Sequence, residues 1–168
     1  MAVDRGETSQ GTAWQCRPEP VTGFRGPGRK QDCCPQVTLE ALRAFSLLPE
    51  GEQPPETLEA CRTALGVWRN RGAAKPYMFG HGRQFKTVKW PTFWYDVHMV
   101  LDTLGRYPAL WEGKDAIADD RRSLAELAAC LIAYNVGPEG RVTPRSCYKG
   151  FESFSFGQKK EPSRFATA

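Results

Sequence analysis

Between Lys75 and Leu104 the chain concentrates the side chains whose types could do chemistry. Asp96 and His98 put a carboxylate and an imidazole two positions apart, the groups used for general acid–base catalysis or metal ligation. Lys86 and Lys89 precede them, and Tyr77, Phe79, Phe85, Trp90, Phe93, Trp94 and Tyr95 crowd around them. Cations beside a helix start suit a phosphate, because the first helical N–H groups are free and the dipole is positive there. Aromatic faces such as those of Trp90, Trp94 and Tyr95 can line a cavity and steady a positive charge. Each feature also has a plainer reading: loop lysines are commonly just solvated, and clustered aromatics pack helix entries.

Spacing limits what Asp96 and His98 can do together. On a regular helix they stand about 200° apart, which suits neither a shared ion nor a dyad. Near a helix start the dipole keeps Asp96 ionised, so it is a poor general acid. Bonding to loop N–H groups, or pairing with Lys89, is the plainer role. His98, beside Trp94 and Leu101, reads as a satisfied core histidine. No Ser-His-Asp order, phosphate-loop motif or paired carboxylate appears.

The elements that must position these groups follow from periodicity and punctuation. A helix is expected from about Pro35 to Leu48, since Pro suits a first helical position and Pro49 ends the run. A second is expected from the Pro54–Pro55–Glu56 step to about Arg71, with Leu58, Cys61, Leu65 and Trp68 as a narrow stripe on an outer helix. A third runs from Thr92, as N-cap, to Arg106, apolar nearly all round and hence buried. A fourth starts at Asp119 or Asp120 and reaches Val136, with more apolar surface than a lone outer helix should carry. A last begins after Pro162. Residues before position 35 read as a loop, frayed over the first dozen and pinned by Trp14 and Phe24.

The loop-into-helix design recurs. Arg29 and Lys30 precede Pro35, Lys86 and Lys89 precede Pro91, and Lys159 and Lys160 precede Pro162, with Arg164 just beyond it. Placing Thr38, Asp96 and Thr167 in register gives spacings of 58 and 71 residues, a period that reads as a helical array.

Composition sets the outer bounds. A chain of 168 residues with 25% charged and 40% hydrophobic residues reads as globular, and a net charge of +4 does not by itself imply nucleic acid. No apolar run approaches the roughly 20 residues of a membrane helix, and no signal peptide is read at the start, so a cytoplasmic chain is the expectation. Six cysteines in this length do not make a disulfide scaffold. Cys61 and Cys130 read as small buried hydrophobes, and Cys16, Cys33, Cys34 and Cys147 fit no zinc spacing.

Three stretches carry a family resemblance: Gly28–Leu42 (GRKQDCCPQVTLEAL), the K-W-P-x-x-W-Y-D entry at Lys89–Asp96, and the K-x-P-S-x-aromatic-x-T step at Lys160–Thr167. They resemble the α/α-toroid superfamily, that is, terpenoid cyclases of the squalene type and protein prenyltransferase β-subunits, and above all small bacterial squalene-cyclase-like repeat proteins. The resemblance spans about residues 14–168, after a flexible segment 1–13. It implies an all-α chain of helical hairpin repeats, about five helices of a partial toroid joined by long Gly/Pro-rich basic loops. It also implies parallel inner helices, which would collect Arg29, Lys30, Lys86, Lys89, Lys159, Lys160 and Arg164 at one rim for an isoprenoid or other ligand with an anionic head. The cyclase D-x-D-D motif is absent, and the prenyltransferase zinc set is only echoed by Asp96 and His98, with Ala166 at the later His position. No metal or other cofactor is therefore expected. The alternative is a non-catalytic interaction module that self-associates or docks on a protein partner through its uncovered helices.

Overall fold

The computed structural model describes residues 5–8, 10–16, 21, 32–73, 82–114, 116–158 and 161–168. Among them are a two-stranded antiparallel hairpin, β1 (Arg5–Thr8) and β2 (Gly11–Trp14), and six helices. The helices are α1 (Pro35–Phe45), α2 (Thr57–Arg69), α3 (Gly82–Lys86), α4 (Val97–Gly105), α5 (Ala118–Asn135) and α6 (Arg164–Thr167). Short 3-10 turns lie at Glu50–Glu52, Pro108–Leu110 and Ser155–Gly157. The chain is mostly helical, and among the described residues no helix is long and apolar enough to cross a membrane.

Helix directions can be read from contacts at their ends. At the start of α1, Gln36 accepts from the Tyr95 amide at 3.0 Å and donates to Phe93 O at 3.3 Å, just ahead of α4. Near the end of α1, Leu42 O accepts from the Tyr107 hydroxyl, just beyond α4. The helices α1 and α4 therefore run parallel. The same holds for α2 and α5: Arg62 meets Asp120, and Trp68 Nε1 donates to Glu126 at 3.0 Å further along both helices.

The core lies between these four helices. Leu39, Leu42, Leu65, Leu104, Leu110 and Leu127 are all fully buried, each contributing roughly 1.5–3 kcal/mol by leaving water. The helix α2 is not the outer, one-striped helix that its large apolar residues imply. It buries eight of its thirteen residues, because small Ala60, Thr63 and Ala64 allow close approach on faces that carry no bulky apolar group.

Residues 5–8 and 10–14 are not frayed but form the hairpin. A lone hairpin is marginal in water, but β2 packs on α1 and α2, with Trp14 buried against Phe45 at a ring separation of 5.5 Å. Gly11 makes that approach possible: its φ is +118°, and a Cβ there would sit 2.9 Å from Thr63 Oγ1. Phe24, the other expected pin, lies outside the described residues. Cys16 and Cys34 form a disulfide that ties the end of the hairpin to the start of α1, a pairing the loop positions of these cysteines did not disclose.

One hydrogen-bond clamp occurs twice. The Trp14 amide donates to Thr38 Oγ1 at 3.2 Å while Trp14 O accepts from Cys34 N at 3.0 Å. Equivalently, the Val142 amide donates to Thr167 Oγ1 at 3.0 Å while Val142 O accepts from Ser163 N at 2.9 Å. Thr38 and Thr167 thus hold equivalent places in α1 and α6, as the register requires. Asp96 does not share them. It is the N-cap of α4, equivalent to Cys34 and Ser163, and Val100 stands where the threonine would be.

Candidate functional site

The segment before α4 is held open by bonds to distant parts of the chain. The expected helix start at Thr92 is displaced to Val97, because the Tyr95 amide is bound by Gln36 and the Asp96 carboxylate accepts from Met99 N at 3.0 Å. On one side Asn135, at the end of α5, accepts from Val88 N at 2.8 Å and donates to Lys86 O at 2.9 Å. On the other, Trp90 N donates to Ser146 O at 3.1 Å and Tyr148 N to Trp90 O at 2.8 Å. These anchors bring α3, the loop 87–96 and the loop 145–148 around one cavity of about 740 Å3.

Three cations stand on its wall: Arg83 from α3, Lys89, and Arg145 from the distant loop. Lys89 Nζ lies 4.1 Å from the centre of the Tyr148 ring, a cation–π contact. Phe85, Trp94, Tyr95 and Tyr148 form the aromatic part of the wall, and Trp94 keeps 49% of its surface exposed. Gln84, Thr87, Asp96 and Ser146 supply polar atoms. Thr87 Oγ1 is buried with no hydrogen-bond partner among the described residues.

Asp96 is the one carboxylate on this wall among the described residues. Burial raises its pKa above the usual carboxylate value, and the Met99 amide, the His98 charge and the amides of His98 and Lys89 oppose that shift without cancelling it. The expectation that the helix dipole leaves it simply ionised therefore meets a counterforce, the loss of water around a 5% exposed group. Burial also lifts the Tyr148 phenol, with the Asp96 charge as the second cause.

The structure separates the expected site residues. Lys89, Trp94, Tyr95 and Asp96 meet at the cavity. Trp90 does not line it but stacks on Phe156, with ring centres 6.2 Å apart. His98 turns to Trp90, its ring 6.1 Å away, and its Nδ1 is buried with no partner among the described residues, so it is not the satisfied histidine expected. Lys86 faces the Tyr134 ring of α5 at 5.2 Å, and Arg164 is exposed on α6, away from the cavity wall. Arg29, Lys30, Tyr77, Phe79, Lys159 and Lys160 lie outside the described residues.

No family model, no curated protein and no solved structure matches this chain. The site must be judged on its own geometry.

Two consequences follow for the chemistry. The N–H groups at the start of α4 do not await an anion, because Asp96 already accepts from Met99 N; at α6, Ser163 Oγ likewise accepts from Ala166 N at 3.2 Å. The positive charge that faces the cavity therefore comes from side-chain cations. Among the described residues no three His, Cys, Asp or Glu side chains gather as metal donors. Arg83 and Arg145 were missed in the sequence because neither neighbours a helix-entry proline. Their only signal was charge, which surface residues share.

Proposed function

We propose that the chain is an α/α-toroid-type helical protein, similar in organisation to terpenoid cyclases and prenyltransferase β-subunits, that binds a ligand with an apolar body and an anionic head. The observation that carries this reading is the cavity itself, where Arg83, Lys89 and Arg145 face the same space as four aromatic side chains. A volume of about 740 Å3 is within the usual range for small-molecule sites. Parallel α1 and α4 and the twice-used threonine clamp support the repeat organisation. Asp96 and His98 hold the helix entry in this reading, and no reaction is assigned to them.

Titration of the full chain with farnesyl diphosphate, followed by calorimetry, tests the site. Saturable binding is expected, weakened at least tenfold in a Lys89→Ala, Arg145→Ala double variant that keeps its helical circular dichroism. Equal binding by the double variant removes the proposal, as does the failure of every phosphate-bearing ligand tried to saturate the site.

A second reading has its own support. On α5, the fourth helix expected from the sequence, Ile132 is 59% exposed and Tyr134 39% exposed, as expected of an interaction module with that helix uncovered. Mass in solution decides it: a monomer unaltered by Ile132→Glu argues against self-association.

A further inference from the structure

The composition of the cavity wall narrows the ligand beyond an apolar body with an anionic head. Among the described residues, every apolar side chain on the wall is aromatic; no Leu, Ile, Val or Met contributes. Seven polar residues are interspersed with the four aromatic ones. A flexible hydrocarbon tail would cover the aromatic faces but offers the polar residues among them no hydrogen-bond partner. A planar heteroaromatic ring meets both needs, since it stacks on π faces and offers edge atoms for hydrogen bonding.

The positions fit that division of labour. Lys89 already covers the Tyr148 face, so that ring belongs to the cationic part of the wall. Trp94 is half exposed beside Tyr95, their ring centres 5.2 Å apart, which leaves indole surface for stacking. Gln84 and Ser146 can read ring edges, and two guanidiniums suit the oxygens of a phosphate in a way a single ammonium does not.

Resting on the binding reading above, we infer that the ligand class is a heteroaromatic phosphate of mononucleotide size, its ring on Trp94 and its phosphate among Arg83, Lys89 and Arg145. Asp96 faces the same space and disfavours a second anion close to it, so a monophosphate is preferred to a diphosphate.

Calorimetry on the full chain with AMP, adenosine, inorganic diphosphate and farnesyl diphosphate tests this. AMP is expected to bind at least tenfold more tightly than each of the other three. Trp94→Leu should lose at least tenfold in AMP affinity while Trp94→Phe stays within threefold, both with wild-type melting temperatures. If farnesyl diphosphate binds as well as AMP, the ligand class is wrong although the cavity binds; if inorganic diphosphate matches AMP, the ring contributes nothing and the inference fails. If none of the four binds, the functional reading fails with it. Should Trp94→Leu unfold, Arg83→Met provides the second check, and undiminished AMP binding there overturns the placement of the phosphate.

Discussion

Arg62 on α2 donates through Nε to a carboxylate oxygen of Asp120 on α5 at 3.0 Å, and the side chain of Asp120 is wholly buried while that of Arg62 remains 35% exposed. Arg69 reaches the other oxygen at 3.2 Å and also donates to Ser123 Oγ at 3.1 Å. The carboxylate is thus held from both sides, and it fixes the register of two parallel helices. Fifty-eight residues separate Arg62 from Asp120.

Removing that carboxylate should loosen the α2–α5 contact. Asp120→Ala is expected to cost about 1.5–2 kcal/mol, the low end of the range for hydrogen bonds to charged groups, because the arginines can turn to water. Urea denaturation measures it. A cost below half of that would mean that the pairing does not set the register.

Asp96 gives a pH signature. Its folded pKa is raised, so the native state holds this proton more tightly than the unfolded chain, and stability from this group falls as pH rises above about 3.8. Asp96→Asn keeps an N-cap acceptor and does not ionise. The melting temperature of the variant relative to wild type should therefore climb between acidic and neutral pH. A flat difference would show that burial does not oppose ionisation here. Asp96→Ala, which loses the cap, should lie about 1 kcal/mol below Asp96→Asn at every pH.

The cysteines should separate by reactivity. Burial, then the Asp32 charge, pushes the Cys33 thiol up to about 12, and burial raises Cys61 as well. Neither should take iodoacetamide in the folded protein at pH 8, whereas partly exposed Cys147 should. Peptide mapping checks the order. Replacing Cys16 with Ser should lower stability by about 2–3 kcal/mol, as expected for a loop of this length.

Two leucine-sized groups on one helix should behave differently. Leu127 is fully buried, and Leu127→Ala is expected to cost about 2–4 kcal/mol. Ile132, five positions later, is mostly exposed, and Ile132→Ala should stay within about 0.5 kcal/mol. A large cost at Ile132 would reveal that this face is covered in solution.

Much of this architecture was legible in the sequence, and the division has a physical cause. Prolines and apolar periodicity marked α1, α2, α4 and α5, because local backbone limits and one-sided burial act within a few residues. The basic, aromatic approach to α4 was visible for the same reason, and Lys89, Trp94, Tyr95 and Asp96 do meet at the cavity. The N-cap of α4 was misplaced by four residues, at Thr92 instead of Asp96, because a side chain far back in the chain, Gln36, binds the Tyr95 amide. Only tertiary structure could bring Arg83 and Arg145 together, bury α2 on several sides, or join Cys16 to Cys34. Each depends on contacts between residues far apart in the chain, whose pairing local patterns do not encode.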